Sequence, residues 1–136
     1  MQSRIVITVN DYNRLTGLTG FASLNLKMPG VVNRLFEKLS VAKMLPQESI
    51  DKHIVTMNSR VRLKDLGSGR ETEVTITYPH EADARERRIS VFSEIGVALL
   101  GGREKDIVSW KIPTGVGRFE IVKVTYQPEA EGHFYL

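Results

Sequence analysis

The chain reads as an α+β protein: a short N-terminal antiparallel helical hairpin, then an antiparallel sheet wrapped over one short helix. Three observations carry that reading. Val32, Leu35, Phe36, Leu39 and Ala42 form an apolar stripe at i, i+3, i+4 and i+7, the mark of an amphipathic helix. Residues 60–78 and 107–126 instead alternate apolar and polar side chains, the period of half-buried strands. Between them Ile95–Leu100 is almost wholly apolar, so a helix there must be buried on most of its surface. At 136 residues the chain makes one domain with an appendage, or two small units.

Residues 4–9 (RIVITV) form a short strand with Ile5, Ile7 and Val9 on one side. Asn10 caps a short helix beginning at Asp11-Tyr12. Tyr12, Leu15 and Leu18 keep helical spacing there, while Gly17 and Gly20 weaken it. Residues 19–29 read as a turn with exposed apolar groups. Pro29 suits the first turn of a second helix, and Pro46 stops it. About 15 residues at ~1.5 Å each make an arm of roughly 22 Å. An antiparallel hairpin is the simplest arrangement; two helices lying flat on the sheet is the alternative. The expected division is therefore 1–46 for the strand and hairpin, 47–52 for a linker, and 53–136 for the second unit.

In that second unit Val61 and Leu63 alternate with Arg60, Arg62 and Lys64, and Gly67-Ser68-Gly69 turns the chain. Val74, Ile76 and Tyr78 share a face. Residues 80–88 (HEADARERR) are a charged, solvated connection. A strand at Ile89–Phe92 leads into the apolar helix, where Ser93 caps an orphan N–H and Glu94 complements the helix dipole. Gly101-Gly102 ends it. Val108, Trp110 and Ile112 share one face of the next strand. Gly115-Val116-Gly117 turns into the last, Phe119–Tyr126. Phe134, Tyr135 and Leu136 suggest a tail docked on the domain.

Composition excludes several classes. The absence of cysteine removes disulfides, thiol nucleophiles and cysteine-ligated zinc, and fits a reducing cytoplasm. No apolar run is long enough to span a membrane. No two of His53, His80 and His133 stand at metal-ligand spacing in the sequence, and all three read as surface or structural residues. No nucleophile elbow or phosphate-binding glycine loop is present. No catalytic residue, metal ligand or cofactor is therefore assigned. The net charge is +3, all of it N-terminal: residues 1–50 hold six Lys/Arg against three acids, and the remainder holds thirteen of each. That excess supports only weak or indirect contact with nucleic acid, DNA included.

One stretch resembles a known family. "ISVFSEIGVALLGG…DIVSWKIPTG…FEIVKVTYQ", within residues 88–127, is similar to the C-terminal domain of the bacterial transcript-cleavage factors GreA and GreB. "HIVTMNSRVRL" (His53–Leu63) and "YQPEAEGHFYL" (Tyr126–Leu136) resemble more closely the Rnk branch of that family, named regulators of nucleoside diphosphate kinase. The chain departs from the Gre pattern at Glu94, Val97, Gly102 and Lys105. The resemblance implies an FKBP-like C-terminal domain, a cytoplasmic transcription regulator, and RNA polymerase as partner. It implies docking at the rim of the polymerase secondary channel through Ser93, Glu94, Ile95 and Gly96. In Gre factors, acidic residues at the hairpin tip help hold a second Mg²⁺ at the polymerase active site, since a hard cation needs carboxylate oxygens. Here the tip is expected within residues 17–30, and from Tyr12 to Phe36 there is no Asp or Glu. The tip offers Leu18, Phe21, Leu24, Leu26, Lys27 and Met28 instead, as a contact surface or as residues folded back on the core. The expectation is a non-enzymatic regulator that competes with Gre factors without cleaving transcripts. Two rivals remain: direct contact with nucleoside diphosphate kinase, and a prolyl isomerase, for which Trp110, Phe119 and Tyr126 are the available aromatics.

Overall fold

The structure is a computed structural model that describes residues 5–22, 29–134 and 136. Strand β1 (Val6–Thr8) runs directly into helix α1 (Val9–Ala22). Helix α2 (Pro29–Val41) follows, then a three-residue strand β2 (Lys43–Leu45). The expected second helix thus stops at Val41 rather than at Pro46. Lys43–Leu45 is extended because it pairs in parallel with β1, Val6 opposite Lys43 and Thr8 opposite Leu45. The cap of α1 is also two residues earlier than expected. Thr8, not Asn10, accepts the orphan N–H of Asp11 on its Oγ1 at 3.0 Å. Val9 accordingly leaves the strand and is exposed, while Val6 and Ile7 are both buried.

The second unit is a five-stranded sheet in the order β5-β4-β3-β7-β6. Its strands are β3 (Arg60–Asp65), β4 (Glu71–Thr77), β5 (Arg88–Ser90), β6 (Ile107–Ile112) and β7 (Gly115–Tyr126). β3 pairs antiparallel with β4 and β7, and β7 with β6. The sheet is mixed rather than wholly antiparallel, because β5 lies parallel to β4 with Ile76 opposite Ile89. The charged connection before β5 carries short 3₁₀ turns at Pro79–Glu81 and Ala84–Glu86, and most of it is exposed. Helix α3 (Glu94–Leu99) packs against the inner face of the sheet.

One hydrophobic core joins the two expected units. Ile7, Leu15, Val31, Leu35 and Leu39 from the N-terminal half cluster with Val55, Met57, Val61, Leu63, Ile76, Leu99 and Ile121. The amphipathic face of α2 is slightly rotated from the stripe read in sequence: Val31 is buried and Phe36 is 57% exposed. At the exit of α3, Gly101 has φ +80°, and a side chain there would meet the Ile5 Cγ2 at 2.4 Å. Its backbone is stitched to both units, its carbonyl accepting from Val6 N–H and its N–H donating to the Val55 carbonyl. Glycine is required there by both conformation and space.

Candidate functional site

The site is the turn at residues 90–96, where β5 gives way to α3. Ser93 is extended and its Oγ accepts the Gly96 N–H at 3.0 Å, the cap expected from sequence. The same hydroxyl donates to the Ser90 carbonyl at 2.6 Å, so its one donor proton is used inside the turn. Gly96 is buried, and a Cβ on it would stand 2.3 Å from the Ser90 carbonyl oxygen. Glycine lets α3 start in contact with the end of β5. Ile95 is half-buried and packs against the core. Among the four residues singled out in sequence, Glu94 therefore presents the polar group that a partner can reach.

Glu94 is held from across the molecule. The Arg34 guanidinium of α2 donates to its carboxylate. One turn along, Lys38 donates to the Val97 and Ala98 carbonyls at 2.6 and 3.2 Å, satisfying the orphan acceptors at the C-terminal end of α3. Burial lowers the Lys38 ammonium to about 8, against an opposing pull from Asp106. The Arg34–Glu94 pair is half-exposed and adds little stability. Its effect is positional: two basic residues one turn apart fix the hairpin base to both ends of α3. No motif in the sequence singles out Arg34 and Lys38. The available signal was their i, i+4 spacing beside the apolar stripe.

The expected tip residues are only partly placed. Leu18 is half-buried and packs on the core. It lines an open groove of about 430 Å³ with Arg14, Asn58, Tyr78, His80, Glu81 and Leu136. Phe21 falls in the last turn of α1, with its side chain outside the description; Leu24, Leu26, Lys27 and Met28 lie outside the described residues.

A buried polar cluster that sequence reading missed sits beneath the hairpin. Asp11 is 2% exposed. Its carboxylate accepts the Met57 N–H at 3.2 Å and the Tyr78 hydroxyl at 3.3 Å. Burial, and then the nearby Glu129 carboxylate, raise the Asp11 carboxyl to about 6. Glu129 is itself buried and accepts from Thr56 Oγ1 at 2.7 Å. The tail is thereby anchored from its first residues. Tyr126 and His133 share a hydrogen bond of 2.6 Å, and Gln47 reaches the Phe134 carbonyl. His53 bonds Asp51 at 2.8 Å. Its N–H to the Asp51 carboxylate, more than anything else, holds that carboxyl below its ordinary value. Among the described residues no group of three or more His, Asp or Glu converges as a metal site. Trp110 is buried and stacks on Phe119 with ring centroids 4.0 Å apart, so these aromatics pack on each other.

The family model described as "Transcription elongation factor, GreA/GreB, C-term" matches residues 50–126. The chain belongs to the GreA/GreB family. It is 36% identical over 107 residues to the "Regulator of nucleoside diphosphate kinase" of Escherichia coli strain K12, covering 78% of this chain and 79% of that protein. It is 40% identical over 83 residues to the "Transcription elongation factor GreA" of Clostridioides difficile strain 630, over 61% of this chain and 52% of that one. A solved structure, "Prokaryotic transcription elongation factor GreA/GreB from Nitrosomonas europaea", superposes with a TM-score of 0.77 at 36% identity, over 92% of this chain and all of that one. The GreA/GreB match begins at residue 50, so α1 and α2 lie outside the family model while the structural likeness takes in most of the chain. Turn 93–96 falls inside the family model.

Proposed function

We propose that the chain is a non-catalytic regulator of transcription that binds RNA polymerase at its secondary-channel rim and competes there with Gre factors. The family membership supports a transcription factor. The observation that carries the finer reading is the acid-free connection: no carboxylate lies between Tyr12 and Phe36, where a cleavage factor must supply oxygen ligands for a second metal ion. Regulation then follows from occupancy alone, since a binder of comparable affinity and concentration displaces a cleavage factor from one site. Docking would run through Glu94 and the rim of Ile95. Ser93 and Gly96 serve by shaping the turn. The Arg34 and Lys38 contacts set the direction in which the hairpin leaves it. The test is RNA length in a backtracked elongation complex. The chain is expected to leave the transcript intact and to slow GreB-driven shortening. Shortening by the chain alone would sink the reading.

A second reading rests on the name of the Escherichia coli relative, a regulator of nucleoside diphosphate kinase. Direct contact predicts that the kinase and this chain elute together in size-exclusion chromatography at physiological salt. Separate elution leaves only an effect through transcription.

A further inference from the structure

The balanced charge of the second unit hides a strongly polarised surface. Outward positions of β3 carry Arg60, Arg62 and Lys64, alternating with the buried Val61 and Leu63. The neighbouring strand β7 turns Lys123 outward beside Arg62, and Arg118 beside Ser109 of β6. Lys111 of β6 is exposed two residues further along. Across these three strands the outer face holds six cations against one carboxylate, Glu120, which lies opposite Lys64. On the neighbouring β4 the same face carries Glu73 opposite Arg62 and Glu71 opposite Lys64, and the other acids lie mainly in the 81–86 connection and around 104–106 and 129–131.

We propose that the outward face of β3, β7 and β6 binds the phosphate backbone of single-stranded nucleic acid. Arg60 is paired to Glu73 at 3.9 Å, and among the described residues Arg62, Lys64, Arg118, Lys123 and Lys111 have no carboxylate within ion-pair distance, although Glu73 stands across from Arg62 and Glu71 and Glu120 across from Lys64. These five run diagonally across the sheet. Alternate strand positions stand about 6.8 Å apart and adjacent strands about 4.8 Å, so the track extends over roughly 25 Å, or about five nucleotides. An extended track of cations suits a chain of phosphates better than the compact acidic patch of a folded protein. Among the described residues the aromatic ring near the track is that of Tyr126, half-buried, with the Arg60 guanidinium 5.9 Å from its centre. Binding is therefore electrostatic and indifferent to base sequence. This face is opposite to the one that covers α3 and stays free when turn 93–96 is occupied. The proposal needs no polymerase, so its failure and that of the docking reading are distinguishable.

The test is fluorescence anisotropy of labelled 12-nucleotide single strands, one RNA and one DNA, titrated with the full chain. Five phosphate contacts predict an affinity that falls about a hundredfold between 50 and 200 mM salt. Arg62→Glu with Arg118→Glu should weaken binding of both strands at least tenfold at 50 mM salt. A control with the same charge change off the sheet, Lys43→Glu with Arg85→Glu, should weaken it less than threefold. The milder Arg62→Gln with Arg118→Gln pair, with the melting temperature recorded, separates lost charge from lost fold. Equal losses in the sheet and control pairs would overturn the proposal. So would a salt dependence below threefold, or tighter binding of a poly-glutamate peptide than of either strand.

Discussion

Asp11→Asn isolates the cost of keeping a carboxylate under the hairpin. Thr8, the Met57 N–H, the Tyr78 hydroxyl and the Glu129 carboxylate surround it, and the Arg14 guanidinium lies 5.9 Å from the Tyr78 ring centre. The folded carboxyl is raised from 3.8 to about 6. A raised carboxyl holds its proton in the folded state after the unfolded chain has lost it. The stability it confers is thus fully present below about pH 4 and is lost as pH rises through about 6. At 1.36 kcal/mol per pH decade the difference is about 3 kcal/mol. An amide keeps the acceptor for Met57 and offers a donor toward Tyr78, without a charge to desolvate or a repulsion with Glu129. Urea unfolding followed by Trp110 fluorescence measures both proteins from pH 4 to 7.5. Subtracting one from the other cancels the remaining carboxylates, Asp51 among them. The variant is expected to gain about 3 kcal/mol on the wild type between pH 4 and pH 7.5. A difference that stays constant within about 0.5 kcal/mol would refute the burial argument.

Leu35→Ala empties a fully buried position on α2 and should cost about 2–5 kcal/mol in a single cooperative transition, because the core spans both halves; calorimetry showing two separate transitions would contradict this. Gly96→Ala pushes a methyl against the Ser90 carbonyl and should destabilise by at least about 2 kcal/mol, read as a lower urea midpoint. Lys38→Met removes an ammonium lowered to about 8, so the wild type should gain stability from pH 8 to 10 while the variant stays flat over the same denaturation series. Glu94→Lys reverses the charge of the turn and breaks the Arg34 contact; polymerase affinity should fall at least tenfold with the melting temperature nearly unchanged.

Much of the second unit is legible from local rules. The alternation of Val61 and Leu63 with Arg60, Arg62 and Lys64 gives β3 its faces, and the Ser93 cap and Gly101-Gly102 exit bracket α3 within a residue. What escaped depends on partners distant in the chain. Lys43–Leu45 looks like a helix end until β1 is beside it. Asp11 looks like an ordinary dipole-favoured carboxylate in a first turn, and only the approach of Met57, Tyr78 and Glu129 shows it to be buried. Arg34 and Glu94 stand 60 positions apart. Phe36 fits the apolar stripe by spacing, yet α2 is rotated so that Val31 takes the buried place. The basic sheet face is invisible in a charge count that balances, because strand pairing brings three separate stretches together.

The measurement that bears most directly on the central claim is binding of the chain to core RNA polymerase, with GreB titrated in as competitor. Displacement at a single shared site, lost in Glu94→Lys, is the predicted result. Binding that GreB does not displace would contradict secondary-channel docking, and no binding at micromolar concentrations would contradict the polymerase as partner.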